Sequence, residues 1–194
     1  SRLKEVEGIG EKRIRQIKES WQKQKEIKNV MLFLQDHGVS TAYAAKIYRQ
    51  YGNESIEKVK ENPFRLADDI WGIGFRTADG IAQKLGFEKE AFVRLRSGIL
   101  YTLSSLADEG HVYARKKQLI DRAAELLEAD ESSVIMTLDQ MMADQDLFGQ
   151  KIAEEEQAIY LPAFYYAETG TAGKLKRLLE APAEDPLWKS LMAA

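Results

Sequence analysis

Apolar positions recur along the first half of the chain in three matched blocks. Each block is centred on a short corner: Glu7-Gly8-Ile9-Gly10, His37-Gly38-Val39-Ser40 and Trp71-Gly72-Ile73-Gly74. The first glycines of successive corners lie 30 and 34 residues apart. Four positions beyond each corner stand Ile14, Ala44 and Ala78; seven beyond, Ile17, Ile47 and Ile81; eleven beyond, Trp21, Tyr51 and Leu85. That spacing traces one face of an α-helix. An apolar stretch precedes each corner: Leu3 and Val6, then Met31, Phe33 and Leu34, then Leu66 and Ile70. The pattern predicts a unit repeated three times: an apolar helix, a Gly-aliphatic-Gly turn, and an amphipathic helix. Gly52-Asn53 and Gly86 suit the ends of the later helices, and Asn62-Pro63 suits a helix start. Gly80 interrupts the last amphipathic helix and costs it about 1 kcal/mol against alanine.

The second half reads differently. Leu95, Ile99, Leu103 and Leu106 place a helix over Phe92 to Asp108, stopped by Gly110. A short strand follows at His111 to Ala114, with His111 a structural residue beside it. Two helices come next, Lys117 to Glu128 and Glu131 to Ala143, the second capped by Asp130. Strands at Leu147 to Ile152 and Ala158 to Leu161 are joined by an acidic turn, Glu154-Glu155-Glu156. Helix, strand, two helices and a hairpin is the order of a winged-helix domain. The expected class is therefore mainly α: tandem hairpin units over 1–88, a winged-helix-like α+β domain over 89–166, and a linker helix with tail over 167–194.

Composition narrows the chemistry. The 194 residues hold no cysteine, which excludes disulfides, thiolate metal sites and cysteine nucleophiles. The two histidines are far apart in sequence, so no histidine-rich metal site is expected. The apolar runs are too short to span a membrane and the opening residues do not read as a signal peptide, so a cytoplasmic protein is expected. The net charge of −3 conceals a contrast. Residues 1–86 carry 16 Lys and Arg against 12 Asp and Glu, whereas residues 87–194 carry 12 against 19. The basic half is the better candidate for a polyanionic partner, although two solvated helical surfaces would show the same contrast. The acidic turn favours a structural spacer for the second half over a second DNA or protein contact surface, and the small basic cluster Arg115-Lys116-Lys117 reads as a solvated helix start.

The corners have a physical logic of their own. Their first glycine can end a helix with a left-handed residue. The aliphatic residue between can tuck between the two helices. The last glycine leaves the amides of the next helix open to an anion. Lys12, Arg13 and Arg15 follow the first corner, and Arg76 follows the third. In the middle copy Ser40 replaces the second glycine and no basic residue comes before Lys46, so this copy reads as mainly architectural.

These residues resemble the helix-hairpin-helix motif of DNA-binding proteins. The match is clearest at Val6 to Ile14 and at Ile70 to Ala78, where Ala78 allows close helix crossing. The runs Val30 to Ser40 and Glu61 to Asp79 further resemble bacterial RecD-like superfamily 1 DNA helicases of the exodeoxyribonuclease V alpha-chain type, in the region preceding their 5′-to-3′ motor. The resemblance implies a DNA repair setting and a DNA-binding accessory region that clamps phosphates without reading bases. Its site would comprise Gly8, Ile9, Gly10, Lys12, Arg13, Arg15, Gly72, Ile73, Gly74, Phe75, Arg76 and Thr77. The partners implied are DNA, single-stranded or at a junction, and the motor domains in cis, with no membrane. ATP and magnesium would belong to that motor, and no cofactor to this stretch. Trp71 or Phe75 could stack on bases. Gly170-Thr171-Ala172-Gly173-Lys174 imitates a phosphate loop but lacks its first glycine and its terminal hydroxyl. No catalytic constellation of carboxylates emerges. The competing expectation is a scaffold that docks the motor on a protein partner.

Overall fold

The computed structural model describes residues 10–154 and 156–180. Gly8, Ile9, the apolar residues Leu3 and Val6, and the tail from 181 lie outside the described residues. The chain forms two compact units, residues 1–97 and 98–194.

The first compact unit is helical: α1 (Glu11–Asp36), α2 (Thr41–Tyr51), α3 (Ser55–Glu61), α4 (Arg65–Asp69), α5 (Phe75–Lys84) and the opening turns of α6 (Phe92–Asp108). Leu34, Val39, Ala44, Ile47, Val59, Leu66, Ile70, Ile73 and Ile81 gather in one core. The matched apolar positions therefore serve a common interior in the second and third repeats, and Val39 and Ile73 are both buried between helices as their place in the corner predicts. Ala44 and Ala78 are fully buried at the four-residue offset, where small side chains let helices approach. The first repeat departs from the pattern. Its amphipathic helix runs without a break into the apolar helix of the second, giving the 26 residues of α1. Ile14 is buried, but Trp21 is 74% exposed, because the register that buries α1 is set later, at Val30 and Leu34.

Local signals act where the sequence places them. At the end of α1 the Val39 N–H bonds the Leu34 carbonyl at 2.9 Å and the Gly38 N–H bonds that of Gln35 at 2.9 Å. With Gly38 at φ +77°, this is a Schellman stop. The Ser40 hydroxyl caps α2 by accepting the Tyr43 N–H at 3.3 Å. Asn62 accepts the Phe64 N–H through Oδ1 at 3.0 Å, while also closing α3. Tyr51, at the end of α2, donates its hydroxyl to Asp69 of α4 at 2.6 Å. Burial first, and then this bond, push the Tyr51 phenol well above its ordinary value.

One tie was not expected. Asp79, on the inner side of α5, receives two bonds from Arg94 of α6, at 2.7 and 2.9 Å. Arg94 also donates to the Lys89 carbonyl at 2.8 Å, and Gln83 donates to Asp79 at 3.1 Å. Both charged residues are buried. The first compact unit accordingly runs past the expected limit at 88, since Arg94 reaches back into it.

In the second compact unit α6 is followed by β1 (Ala114–Arg115), α7 (Lys116–Leu127), α8 (Glu131–Ala143), β2 (Phe148–Lys151), β3 (Gln157–Tyr160) and α9 (Pro162–Glu180). The strands form an antiparallel sheet in the order β1-β3-β2, with Ala114 opposite Ile159 and Gly149 opposite the same residue. This is the predicted order of a winged-helix domain. Asp130 sits at the N-cap of α8, but its side chain makes no capping bond. His111 is exposed, so it takes no part in the packing beside β1. Gly170 to Lys174 lie within α9, and a helix interior cannot wrap a phosphate as a loop does.

Two stability measurements follow. Gly80 is exposed, and a Cβ there would meet nothing within 4 Å. Gly80→Ala should therefore raise unfolding free energy by about 0.5–1 kcal/mol in urea titration. Asp79→Ala should lower it by about 3–5 kcal/mol, because the Arg94 guanidinium is left buried without its carboxylate. Replacing both partners with Asp79→Leu and Arg94→Met should cost much less.

Candidate nucleic-acid interface

The three corners differ in what surrounds them. The first is described only from Gly10, which stands exposed at the N-cap of α1, and a Cβ added there would meet nothing within 4 Å. Lys12, Arg13 and Arg15 are exposed on the first turns of that helix. Among the described residues no backbone bond links them to the third corner. At the second corner the Lys84 side chain occupies the space a Cβ on Gly38 would need. That corner is shared with a cation of its own chain, which fits the architectural role expected of it.

The third corner is open. The Ile73 N–H bonds the Ile70 carbonyl at 3.0 Å and closes a tight turn. Gly72 takes φ +90° in this turn, a conformation that penalises any side chain. Gly74 is different. Its φ of −92° and ψ of 172° are open to every residue, and among the described residues a Cβ there would meet no atom within 4 Å beyond its own stretch of chain. Its lack of a side chain therefore serves neither the backbone nor the packing, and leaves the approach to α5 clear. The Thr77 and Ala78 N–H groups both bond the Gly74 carbonyl at 3.1 Å. Among the described residues, no backbone bond engages the amides of Gly72, Gly74 or Arg76. Amides left open at the start of a helix are the kind of donor that an oxyanion can accept from. Arg76 is exposed beside them.

The aromatic residues flanking the corner separate cleanly. Phe75 is 4% exposed and stacks on Phe64 with ring centroids 5.8 Å apart. Its ring anchors the start of α5 in the core and is not available to a base. Ile73 is likewise buried, and Thr77 is half-buried with its amide already bonded. These three residues shape the corner from within. Trp71 is the opposite case, 93% exposed.

Two residues of α2 complete the corner. Tyr43 donates its hydroxyl to the Gly72 carbonyl at 2.9 Å, and Lys46 donates its ammonium to the Trp71 carbonyl at 3.1 Å. The same ammonium lies 5.6 Å from the Trp71 ring centroid and 5.7 Å from that of Tyr43. A Cβ on Gly72 would come within 3.3 Å of Lys46 Nζ. The middle copy thus lends its basic residue to the third corner, 25 residues away in sequence. The sequence pattern does not single out Tyr43 or Lys46 as site residues; their one signal is that Lys46 is the first basic residue after the middle corner.

The basic cluster of the second compact unit is spoken for. Arg115 pairs with Glu156 at 2.9 Å, Lys116 with Asp139 at 2.8 Å and Lys117 with Asp121 at 3.6 Å. Among the described residues no group of His, Asp and Glu is arranged to hold a metal ion, and no helix is long and apolar enough to cross a membrane.

Residues 23–113 match the family described as the ATP-dependent RecD2 DNA helicase HHH domain. That segment is similar to this family. The RecD2 HHH match takes in the second and third corners, the core between them and the Asp79–Arg94 tie, and it ends just before β1. The first corner precedes it. The chain thus includes a stretch similar to the RecD2 helicase HHH domain.

The grip of α2 on the third corner is measurable. Tyr43→Phe and Lys46→Met should each lower stability by about 0.5–1.5 kcal/mol. Amide hydrogen exchange should quicken locally around residues 71–74, with little change in the second compact unit.

Proposed function

We propose that this protein is a DNA-binding accessory region of a RecD2-type helicase, and that it holds the sugar-phosphate backbone without reading base sequence. The observation that carries the reading is the open third corner. Among the described residues, the amides of Gly72, Gly74 and Arg76 are unengaged by the backbone, next to a glycine that neither its backbone angles nor its packing requires. Phosphate oxygens are the natural acceptors for such amides. Arg76 and Lys46 add positive charge at this corner, and Lys12, Arg13 and Arg15 would extend it from the first. Contacts of this kind fix a strand in place but carry no sequence information. The partners are then DNA, single-stranded or at a junction, and the motor domains in cis. Hydrolysis of ATP with magnesium is the work of that motor, and the setting is cytoplasmic DNA repair.

Gly74 offers a test that separates binding from folding. An aspartate there would cap α5 with its own carboxylate and occupy the anion site. Gly74→Asp should leave stability unchanged or raise it by a few tenths of a kcal/mol, while DNA binding in gel shifts falls sharply. Arg76→Ala should weaken binding to all sequences alike and reduce the salt slope by about 1. With roughly four phosphates neutralised, the wild-type log–log slope should be about −3 on single strands and about −4 on duplex. Unchanged affinity in both variants, with folding intact, would return the protein to a scaffold role.

A further inference from the structure

We propose that Trp71 is a stacking platform for a base of single-stranded DNA, placed beside the phosphate held at the third corner. The proposal rests on the phosphate-binding reading above and names the strand form that the site takes.

Trp71 makes no contribution to the core. A tryptophan buries about 150–250 Å² when it packs, yet this one is 93% exposed. It is also not a loose side chain on a loose loop. Its carbonyl is held by Lys46, the next carbonyl is held by Tyr43, and the turn is closed by the Ile70–Ile73 bond. The backbone that carries the ring is fixed at three points while the ring itself is left in water. The neighbouring positions, Gly72 and Gly74, bear no side chain that would obstruct a nucleotide. The Lys46 ammonium lies 5.6 Å from the ring centroid, a charge that suits a polyanion.

The ring chemistry then selects the strand. A duplex keeps its base faces stacked and offers none to an indole. An unpaired nucleotide presents a π face, and stacking on it is tolerant of sequence. Phosphate at the amides and base on the indole describe one nucleotide held at two ends, which phosphate contact alone would not discriminate from duplex.

The experiment measures affinity of the full chain by fluorescence anisotropy for three ligands: a labelled oligothymidylate, the same strand with abasic residues, and a duplex of equal length. Trp71→Ala should weaken oligothymidylate binding roughly 5- to 150-fold and leave the abasic strand and the duplex within about twofold of wild type. Trp71→Phe should recover most of the loss. Exposure of the ring means that thermal unfolding of both variants should match wild type. Equal losses on all three ligands, or no loss on any, would overturn the stacking role; the second result, with Gly74→Asp still abolishing binding, leaves the phosphate reading standing and assigns the indole to a protein partner. A Trp71 effect confined to oligothymidylate, with Gly74→Asp inert, would instead remove the phosphate corner and keep the platform. Wild type that binds none of the three removes both.

Discussion

The carbonyl oxygens of Trp71 and Gly72 are held from outside their own hairpin, by the Lys46 ammonium and the Tyr43 hydroxyl of α2. A short corner of glycines has little to hold it still: its residues lose more backbone freedom on ordering than any others. Anchoring two successive carbonyls shifts that loss to folding, so that a ligand arriving at the corner meets groups already in place. The bonds between α2 and the third corner are therefore the constraint on which its geometry depends.

This arrangement divides labour among repeated units. The middle copy, with Ser40 where the others have glycine, uses its hydroxyl to start α2 and its own Gly38 site is shared with Lys84. It supplies Tyr43 and Lys46 to the neighbouring copy. A degenerate repeat is thus a buttress. The shared core of Val39, Ala44, Ile47, Ile73 and Ile81 makes this possible by fixing two hairpins in a single packing unit.

Much of the architecture is legible from spacing alone. Helical offsets identify the buried face of α2 and α5, and glycines after the last apolar residue mark the stops at Gly38 and Gly86. The order of elements in the second compact unit follows from period and turn residues. Other features escape for identifiable reasons. Periodicity cannot show that α1 is continuous, so it places Trp21 on a buried face that residue does not occupy. Phe75 and Trp71 flank one corner and are alike in composition; helical phase distinguishes them, since Phe75, Ala78 and Ala82 fall on one stripe and Trp71 precedes the helix. Lys46 is invisible because its partner lies in another hairpin, and local pattern carries no information on pairing at that range. Asp79 gives no sign of burial because its counter-ion comes from a different helix.

That counter-ion has a practical consequence for how this chain can be cut. A fragment ending at the loop after α5 would keep every corner residue and every apolar side chain of the hairpin core. It would still leave the Asp79 carboxylate without the Arg94 guanidinium, with Gln83 as its remaining side-chain partner among the described residues. Water would have to enter, or the carboxyl take up a proton, before such a piece could close. A version of the hairpin array that keeps this pair must therefore extend into α6 as far as its guanidinium.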